Sequence, residues 1–345
     1  MAGGWRARQG GDVREVPRGI ATTTEPTPGV PVVSHEDFDL PLFSPLYPTL
    51  KTEPIFELAQ KLTQWLWTGR VGAIVTGPAR VGKTTALETV SRHLCDRRQR
   101  PVPVFLTAVE KLDHPTIKSM NWQLCQDAEI KTTKNQTAYQ LSSAFGQWLM
   151  DEAARHDVSQ MVLLIDECQR LTPDQFNAFA DLYNKLRKKK RYLLTVFVGN
   201  AQETSRLFEI MSSDAYAHIR GRFFNERWRF HGLRSLQEVR DCLAQYDTLP
   251  HPFDTDRSIV HGHLPEAMDS DFRLASAAPL FWSVFRDYQQ RFKLTEWGME
   301  SFSITTNTLV ADFLPKYGIE NLNEEMVEEA VRISGLLPSM VSLDA

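Results

Sequence analysis

The segment that decides the fold covers residues 71–94 and reads VGAIVTGPARVGKTTALETVSRHL. The apolar run over 71–77 predicts a short buried strand, and residues 83–98 predict a helix. Between them, residues 77–84 fit the pattern GxxxxGK[S/T]. A glycine-containing turn from a strand into a helix lets backbone N–H groups surround a phosphate chain, and the helix N-terminus adds partial positive charge. The segment therefore predicts a nucleotide site on an α/β sheet.

Each part of this phosphate loop has an expected role. Lys83 would reach the β and γ phosphates of ATP, and the Thr84 hydroxyl would be a ligand of Mg²⁺. The residues expected to hold the nucleotide are Gly77, Pro78, Ala79, Arg80, Val81, Gly82, Lys83, Thr84 and Thr85.

A second apolar strand ends in two carboxylates. Residues 161–167 read MVLLIDE, and a parallel sheet binds ligands at the carboxyl ends of its strands. We expect Asp166 to hold Mg²⁺, directly or through water. Glu167 would orient and deprotonate the attacking water. The alternative is that Asp166 and Glu167 are two acidic residues that end a strand and have no role in catalysis.

Three later polar residues are weaker candidates. Asn200 ends the strand YLLTVFVGN and would help Glu167 to position the water, or it is a turn residue. Arg220 and Arg222 stand in RGRFF, and a guanidinium from this loop could reach the γ-phosphate of a neighbouring subunit. Spacing leaves open which arginine does so, and surface arginines are common.

The remaining pattern alternates strands and helices up to about residue 233 and is helical afterwards. Alternation of this kind indicates βαβ units around a parallel sheet. Strands are predicted at 101–109, 160–167 and 192–200, and helices at 55–67, 115–125, 137–155, 174–190, 235–246, 274–292 and 323–337. The expected divisions are a flexible tail (1–36), an α/β core (37–232), a helical lid (233–335) and a C-terminal tail (336–345).

Composition narrows the class of protein. The 345 residues include 39 Lys and Arg against 43 Asp and Glu, a net charge of −4, which excludes a generally basic nucleic-acid coat. A membrane helix needs roughly 20 consecutive apolar residues, and none is expected here. The N-terminus does not resemble a signal peptide. Four separated cysteines without a CxxC pair argue against a zinc ribbon or disulfide framework, so a cytoplasmic protein is expected.

Together these motifs resemble the AAA+ ATPases, over about residues 40–335. The resemblance implies a P-loop NTPase with a parallel sheet followed by a small helical lid. The runs GPARVGKTT, LLIDECQRL and FVGN, with FHGLRSLQEV after GRFF, are similar to the TnsC/TniB regulators of transposition. MuB-like and ExeA-like ATPases are broader kin. In this family the second sensor is usually an arginine in a GxR motif on a lid helix. The nearest candidate for this nucleotide-binding role is Arg273, which lies in DFRLA without the glycine.

The resemblance also implies partners. An ATP-dependent homo-oligomer, a ring (hexamer or heptamer) or helical filament on double-stranded DNA, would link a TniQ-type target selector to transposase subunits. In CRISPR-associated transposons the selector works with an RNA-guided complex. Loops after the second strand would place five residues against DNA phosphates, in the family's manner: Lys111, Lys118, Lys131, Thr132 and Lys134. The alternative is that these lysines only solubilise loops.

Three other patterns have ordinary explanations. The run 185–191 (KLRKKKR) ends a helix, where cations complement the helix dipole. We therefore interpret it first as a solvated or intersubunit face and second as a DNA patch. His251, His261 and His263 suggest a lid loop rather than a metal site. The aromatic side chains at helical spacing over 281–288 indicate core packing.

Two further functions stay open besides the transposition regulator. One is a nucleotide-gated scaffold of ExeA-like or signalling type that binds proteins and not DNA. The other is an ExeA-like ATPase in secretion, which the lack of an apolar span disfavours. A helicase is disfavoured because no second translocation domain is recognisable.

Overall fold

The computed structural model describes residues 48–251 and 254–337. The predicted tail 1–36 lies outside these ranges, as does most of the tail 336–345, so both stay predictions. The described residues belong to a single compact unit, and the division at residue 232 into two domains also stays a prediction.

Five parallel strands form the central sheet, in the order β2-β3-β4-β1-β5. They are β1 (Gly72–Gly77), β2 (Val104–Ala108), β3 (Gln160–Asp166), β4 (Tyr192–Asn200) and β5 (Arg227–Arg229). The register places Gly77 beside Asn200 and Ala108 beside Asp166. The carboxyl ends of the four longer strands therefore meet at one edge of the sheet. This confirms the predicted parallel α/β architecture, although the sequence pattern missed the three-residue strand β5.

Both faces of the sheet are covered. Along β3, Met161, Leu163 and Ile165 join one buried apolar cluster, while Val162 and Leu164 join another on the opposite face. Alternate residues of a strand point to opposite faces, so a continuous apolar run fits a strand buried on both sides.

Thirteen helices are present in the described residues. They are α1 (Glu53–Trp67), α2 (Lys83–Ser91), α3 (Ile117–Asp127), α4 (Ala138–Arg155), α5 (Phe176–Lys188), α6 (Ala201–Ile210), α7 (Ala217–Phe223), α8 (Leu236–Thr248), α9 (Ile259–His263), α10 (Ala278–Phe292), α11 (Met299–Thr308), α12 (Leu314–Tyr317) and α13 (Glu324–Ile333). Helix α4 starts with a capping box, in which Thr137 and Gln140 are bonded reciprocally.

Helix α2 ends at Ser91, so the predicted helix to residue 98 is wrong in its second half. The carboxylate of Asp96 accepts hydrogen bonds from the backbone N–H groups of Arg98 and Arg100, at 2.8 and 3.0 Å. A side chain that bonds its own backbone in this way offers the chain an alternative to the helical ladder. Cys95 then forms an isolated bridge with Pro101.

A third apolar cluster lies in the helical C-terminal region. The rings of Phe285 and Trp297 stack at 4.9 Å, and Phe281 lies fully buried beside them. The prediction that residues 281–288 pack in a core is confirmed. The prediction that strands stop near 233 is wrong, because β6 (Pro250–His251) and β7 (Asp254–Ser258) form a short antiparallel pair.

Candidate nucleotide-binding site

The phosphate loop turns from the end of β1 into the start of α2. Gly77 has no room for a side chain, because a Cβ atom there would lie 2.5 Å from the carbonyl oxygen of Phe230. Gly82 has a φ of 92°, in the left-handed region that favours glycine, and no side chain caps the helix that follows it. The first N–H groups of α2 are therefore open to an anionic ligand.

The Lys83 side chain folds back over its own loop. Its Nζ donates to the carbonyl oxygens of Gly77 and Pro78, at 3.3 and 2.6 Å. Burial lowers the pKa of Lys83, while the carboxylates of Asp166 and Glu167 act in the opposite sense. A phosphate group could therefore replace these two carbonyl oxygens as the acceptor of hydrogen bonds from the Lys83 ammonium group.

Thr84 and Asp166 meet directly. The Thr84 hydroxyl donates to Oδ2 of Asp166 at 2.7 Å, and Asp166 is only 2% exposed. A hydroxyl and a carboxylate at the mouth of a phosphate loop are oxygen ligands of the kind Mg²⁺ prefers. The two residues therefore fit the predicted metal-binding role.

Glu167 is held by two side chains that sequence analysis left without a role. Gln169 Nε2 donates to Oε2 of Glu167 at 2.8 Å, and Arg170 Nη2 lies 3.1 Å from the same oxygen. Glu167 also has a φ of 55°, a left-handed conformation that is uncommon for a residue with a side chain. Both neighbours follow the DE pair in DECQR, which was the signal available for finding them.

Asn200 caps helix α6. Its Oδ1 accepts hydrogen bonds from the N–H groups of Gln202 and Glu203, at 2.9 and 3.4 Å. The N–H of Asn200 donates to Oε1 of Gln169 at 3.1 Å. Since the oxygen serves the cap, the side-chain NH₂ is the group of Asn200 that a ligand could bind.

A cleft of about 760 Å³ joins these residues. The residues lining it from the predicted site are Ala79, Arg80, Val81, Gly82, Lys83, Thr84, Thr85, Glu167 and Asn200. Sequence analysis missed the wall formed by residues 48–55 and by α11, where Leu50, Ile55 and Ile304 are apolar. Asn307 lies on this wall and accepts a 3.0 Å hydrogen bond from the Tyr246 hydroxyl. No local pattern reports such a wall, because its two parts lie about 250 residues apart in the chain.

Comparison with known proteins agrees with this geometry. Residues 69–207 match the family model of an AAA domain. The Aeropyrum pernix ORC2 protein in its ADP form is similar in structure, with a TM-score of 0.51, 12% sequence identity, and coverage of 84% of this chain and 71% of that chain. The chain has an AAA+ P-loop fold.

Two other solved structures are similar to the chain at lower TM-scores. The Aeropyrum pernix ORC1 protein in complex with DNA has a TM-score of 0.39 at 15% identity, covering 85% of this chain and 80% of that chain. Drosophila ORC bound to DNA has a TM-score of 0.44 at 12% identity, covering 90% and 70%. A search of curated proteins found no match.

Arg220 and Arg222, the two candidates for an arginine that acts on a neighbouring subunit, differ in their surroundings. Arg220 Nη1 donates to the carbonyl oxygens of Met211, at 2.5 Å, and Ser213. Arg222 Nη1 donates to the Ala180 carbonyl at 3.2 Å, and its guanidinium lies 5.3 Å from the Tyr183 ring centroid. Arg222 lines a second cleft, of about 400 Å³, together with Arg70, Arg187 and His218.

The structure does not bring Arg273 to the nucleotide cleft. Its Nη1 donates to the carbonyl oxygen of Phe272 at 2.7 Å, at the start of a short 3₁₀ turn before α10. Among the described residues that line the cleft, the basic ones are Lys83 and Arg80. The second-sensor role of Arg273 stays a prediction.

The loops predicted to meet DNA lie together. Lys118 Nζ, on the first turn of α3, donates to the carbonyl oxygen of Lys134 at 3.1 Å. Lys111 and Lys131 are exposed, and the Thr132 hydroxyl accepts from Gln126 Nε2 at 2.6 Å. The structure therefore places Lys118 in α3 itself rather than on a loop, and the other four residues on the loops that flank this helix.

The basic run 185–191 is only partly solvated. Lys185 Nζ donates to the Ser142 hydroxyl at 3.1 Å and lies 4.2 Å from the Tyr139 ring centroid. Arg191 Nη1 donates to the Val158 carbonyl at 2.8 Å. The exposed cations of the run are those between its two ends, Arg187, Lys188, Lys189 and Lys190.

Two of the three histidines lie together near β6. The His251 and His263 ring centroids are 5.9 Å apart, and burial with the nearby His251 lowers the pKa of His263 to about 4. In the part of the chain that the structure describes, no group of three or more His, Cys, Asp or Glu residues could hold a metal ion. Within the same residues, no helix is both long and apolar enough to span a membrane.

Proposed function

We propose that this chain is a cytoplasmic ATPase that assembles on double-stranded DNA and regulates DNA transposition. The observation that carries the proposal is that Lys83, Thr84 and Glu167 line one cleft while the Thr84 hydroxyl bonds to Asp166. Lys83 and the N–H groups of α2 bind the phosphates of ATP, and Thr84 and Asp166 hold Mg²⁺. When bound, the metal ion neutralises part of the phosphate charge. Glu167 orients the attacking water and accepts its proton.

The proposed ATPase works as a homo-oligomer, a ring or a filament. Arg222 lines a cleft beside Gly72, the first residue of β1, whereas the phosphate loop follows Gly77, the last. A strand of 6 residues spans about 20 Å, which exceeds the reach of an arginine side chain. This distance supports the proposal that Arg222 acts on the nucleotide of a neighbouring subunit, where a guanidinium would stabilise transition-state charge.

The proposed DNA contact uses the loops that border α3. Cations and hydroxyls on one surface suit phosphate oxygens and bind without regard to base sequence. Replacing Lys111 and Lys131 by alanine should weaken duplex binding and lower its salt dependence. The equivalent change at Lys316, on α12, should alter neither. Equal effects from the two changes would contradict this assignment.

The resemblance of GPARVGKTT, LLIDECQRL and FVGN to transposition regulators supports the choice of process. The partners proposed on this basis are transposase subunits and a TniQ-type target selector, with or without an RNA-guided complex. ATP binding favours assembly, and hydrolysis disassembles it.

A nucleotide-gated scaffold is the second candidate. The ion pair of Arg170 with Glu167 favours it, because the guanidinium competes with the attacking water for the carboxylate. The Glu167→Gln change separates the two functions. It should trap ATP, slow hydrolysis about 100-fold or more, and stabilise the assembly if turnover matters. In a scaffold without turnover it should leave the assembly unchanged.

Electron microscopy of the purified protein with duplex DNA tests the main proposal. Samples with ATP, with a slowly hydrolysed analogue and without nucleotide should differ, with rings or filaments on DNA only when nucleotide is present. Lys83→Ala should abolish these assemblies. Particles that are indifferent to DNA would overturn the DNA role.

A further inference from the structure

The first turn of α11 rests on the phosphate loop at Arg80. The N–H of Glu300 donates to the carbonyl oxygen of Arg80 at 3.2 Å, and the Glu300 carboxylate lies 3.5 Å from Nε of Arg80. Gly298 permits this approach, because a Cβ atom there would lie 3.2 Å from the same carbonyl. The helical region thus contacts the loop through both backbone and side chain.

The side-chain contact is easily exchanged. The Arg80 and Glu300 side chains are 60% and 50% exposed, and ion pairs between solvated side chains contribute little to stability. Arg80 has a φ of 62°, so a position that suits glycine carries an arginine instead. The guanidinium is therefore presented at the cleft by a loop built to receive phosphate.

The charges that line the cleft indicate a function for Arg80. The described residues that line the cleft include two cations, Lys83 and Arg80, and three carboxylates, those of Glu167, Glu203 and Glu300. A polyphosphate is strongly anionic, and a guanidinium binds phosphate oxygens with two parallel hydrogen bonds. As long as Glu300 holds Arg80, only Lys83 offers the ligand an uncommitted positive charge from this set.

We propose that Arg80 is a phosphate-binding side chain and that Glu300 competes with the nucleotide for it. The polyphosphate of ATP or ADP takes the Arg80 guanidinium from Glu300, so α11 loses this ion pair while its backbone hydrogen bond to the loop remains. Nucleotide binding therefore weakens the contact between the helical region and the phosphate loop. This inference rests on the proposed ATP-binding function.

A double-mutant cycle tests the exchange. The dissociation constants of a fluorescent ATP analogue and a fluorescent ADP analogue are measured with Mg²⁺ for the full chain and for Arg80→Ala, Glu300→Gln and the double variant. We expect Arg80→Ala to weaken binding about tenfold, and Glu300→Gln to tighten it about threefold. Because Glu300 acts through Arg80, Glu300→Gln should change nothing in the Arg80→Ala background.

Three controls keep the outcome specific. Arg80→Lys should bind more tightly than Arg80→Ala but less tightly than the unmodified chain, because lysine keeps the charge and loses the paired hydrogen bonds, whereas a loop damaged by any substitution would not be rescued. Arg92→Ala, at the far end of α2, and Glu325→Gln, on α13, change the same charges on exposed residues away from the cleft. Neither should alter binding.

The outcomes separate the inference from the proposed function. If Glu300→Gln tightens binding equally with and without Arg80, the carboxylate acts as a general repulsive charge and the exchange is overturned. If Arg80→Ala binds as tightly as the unmodified chain, Arg80 is not a phosphate ligand. If the unmodified chain binds neither analogue, the proposed function itself fails.

Discussion

Gln169 joins the Glu167 carboxylate to the end of strand β4. Its Nε2 donates to Glu167 Oε2 at 2.8 Å, and its Oε1 accepts the N–H of Asn200 at 3.1 Å. The amide has one donor and one acceptor side, so a single orientation satisfies both contacts. Gly199 leaves the space for it, since a Cβ atom there would lie 2.5 Å from Gln169 Oε1. The position of the proposed base therefore depends on a residue outside the phosphate loop.

Gln169→Ala should lower kcat for ATP hydrolysis about tenfold with KM within about twofold, because it frees Glu167 without touching the phosphate contacts. Steady-state kinetics checks this. Gln169→Glu should be no better, since it removes the donor and adds a like charge. Gln202→Ala, on the exposed side of α6, is the matched control. A raised KM with unchanged kcat would contradict a positioning role.

Arg222→Ala should leave nucleotide binding unchanged and lower the rate of ATP hydrolysis about 10³-fold, as expected when a guanidinium that stabilises transition-state charge is removed. Mixing Arg222→Ala with Glu167→Gln should restore activity, because a Glu167→Gln subunit binds ATP, joins the assembly and still supplies its arginine to a neighbour.

Mixing Arg222→Ala with the Glu167→Gln/Arg222→Ala double variant supplies no arginine and should restore nothing. The same series at Arg220 tests the other candidate. If Arg220→Ala is complemented and Arg222→Ala remains fully active, the assignment passes to Arg220.

Gly232→Ala should destabilise the chain by about 2–4 kcal/mol. A Cβ atom at Gly232 would lie 2.1 Å from the Trp297 carbonyl oxygen, which accepts the Leu233 N–H at 2.8 Å. Thermal unfolding measures the loss. Gly221→Ala is the control, because a Cβ atom there has nothing within 4 Å. Equal unfolding temperatures for the two variants would contradict the described approach.

Acidification should destabilise the chain through His263. Burial lowers its folded-state pKa to about 4, below the ordinary value of 6.5, so the unfolded chain binds the proton more readily. The stabilising contribution is complete above pH 6.5 and is lost as the pH falls towards 4, by about 2 kcal/mol after allowance for partial exposure.

His263→Gln should flatten this pH dependence in denaturant unfolding followed between pH 7 and about 4.5. His93→Gln, an exposed position at the end of α2, should leave the dependence in place. An unchanged pH profile in His263→Gln would assign the acid sensitivity to other groups.

Local sequence determined the phosphate loop, the strands β1, β3 and β4, and the residues Lys83, Thr84, Asp166 and Glu167. Each of these depends on spacing within one short segment, through the period of a buried strand or the turn that glycines permit. Helix α2 shows the limit of such patterns, because the helical spacing continues past Ser91 while the chain leaves the helix there and Asp96 organises a turn further on.

Only the tertiary structure decided which distant residues complete the cleft. Leu50 and Asn307 lie at opposite ends of the sequence and meet because apolar burial packs the segment before α1 against the helical region. The contact between Arg80 and Glu300 and the absence of Arg273 from the residues that line the cleft also depend on that packing. A periodic pattern reports which face of an element is buried, but not which other element covers it.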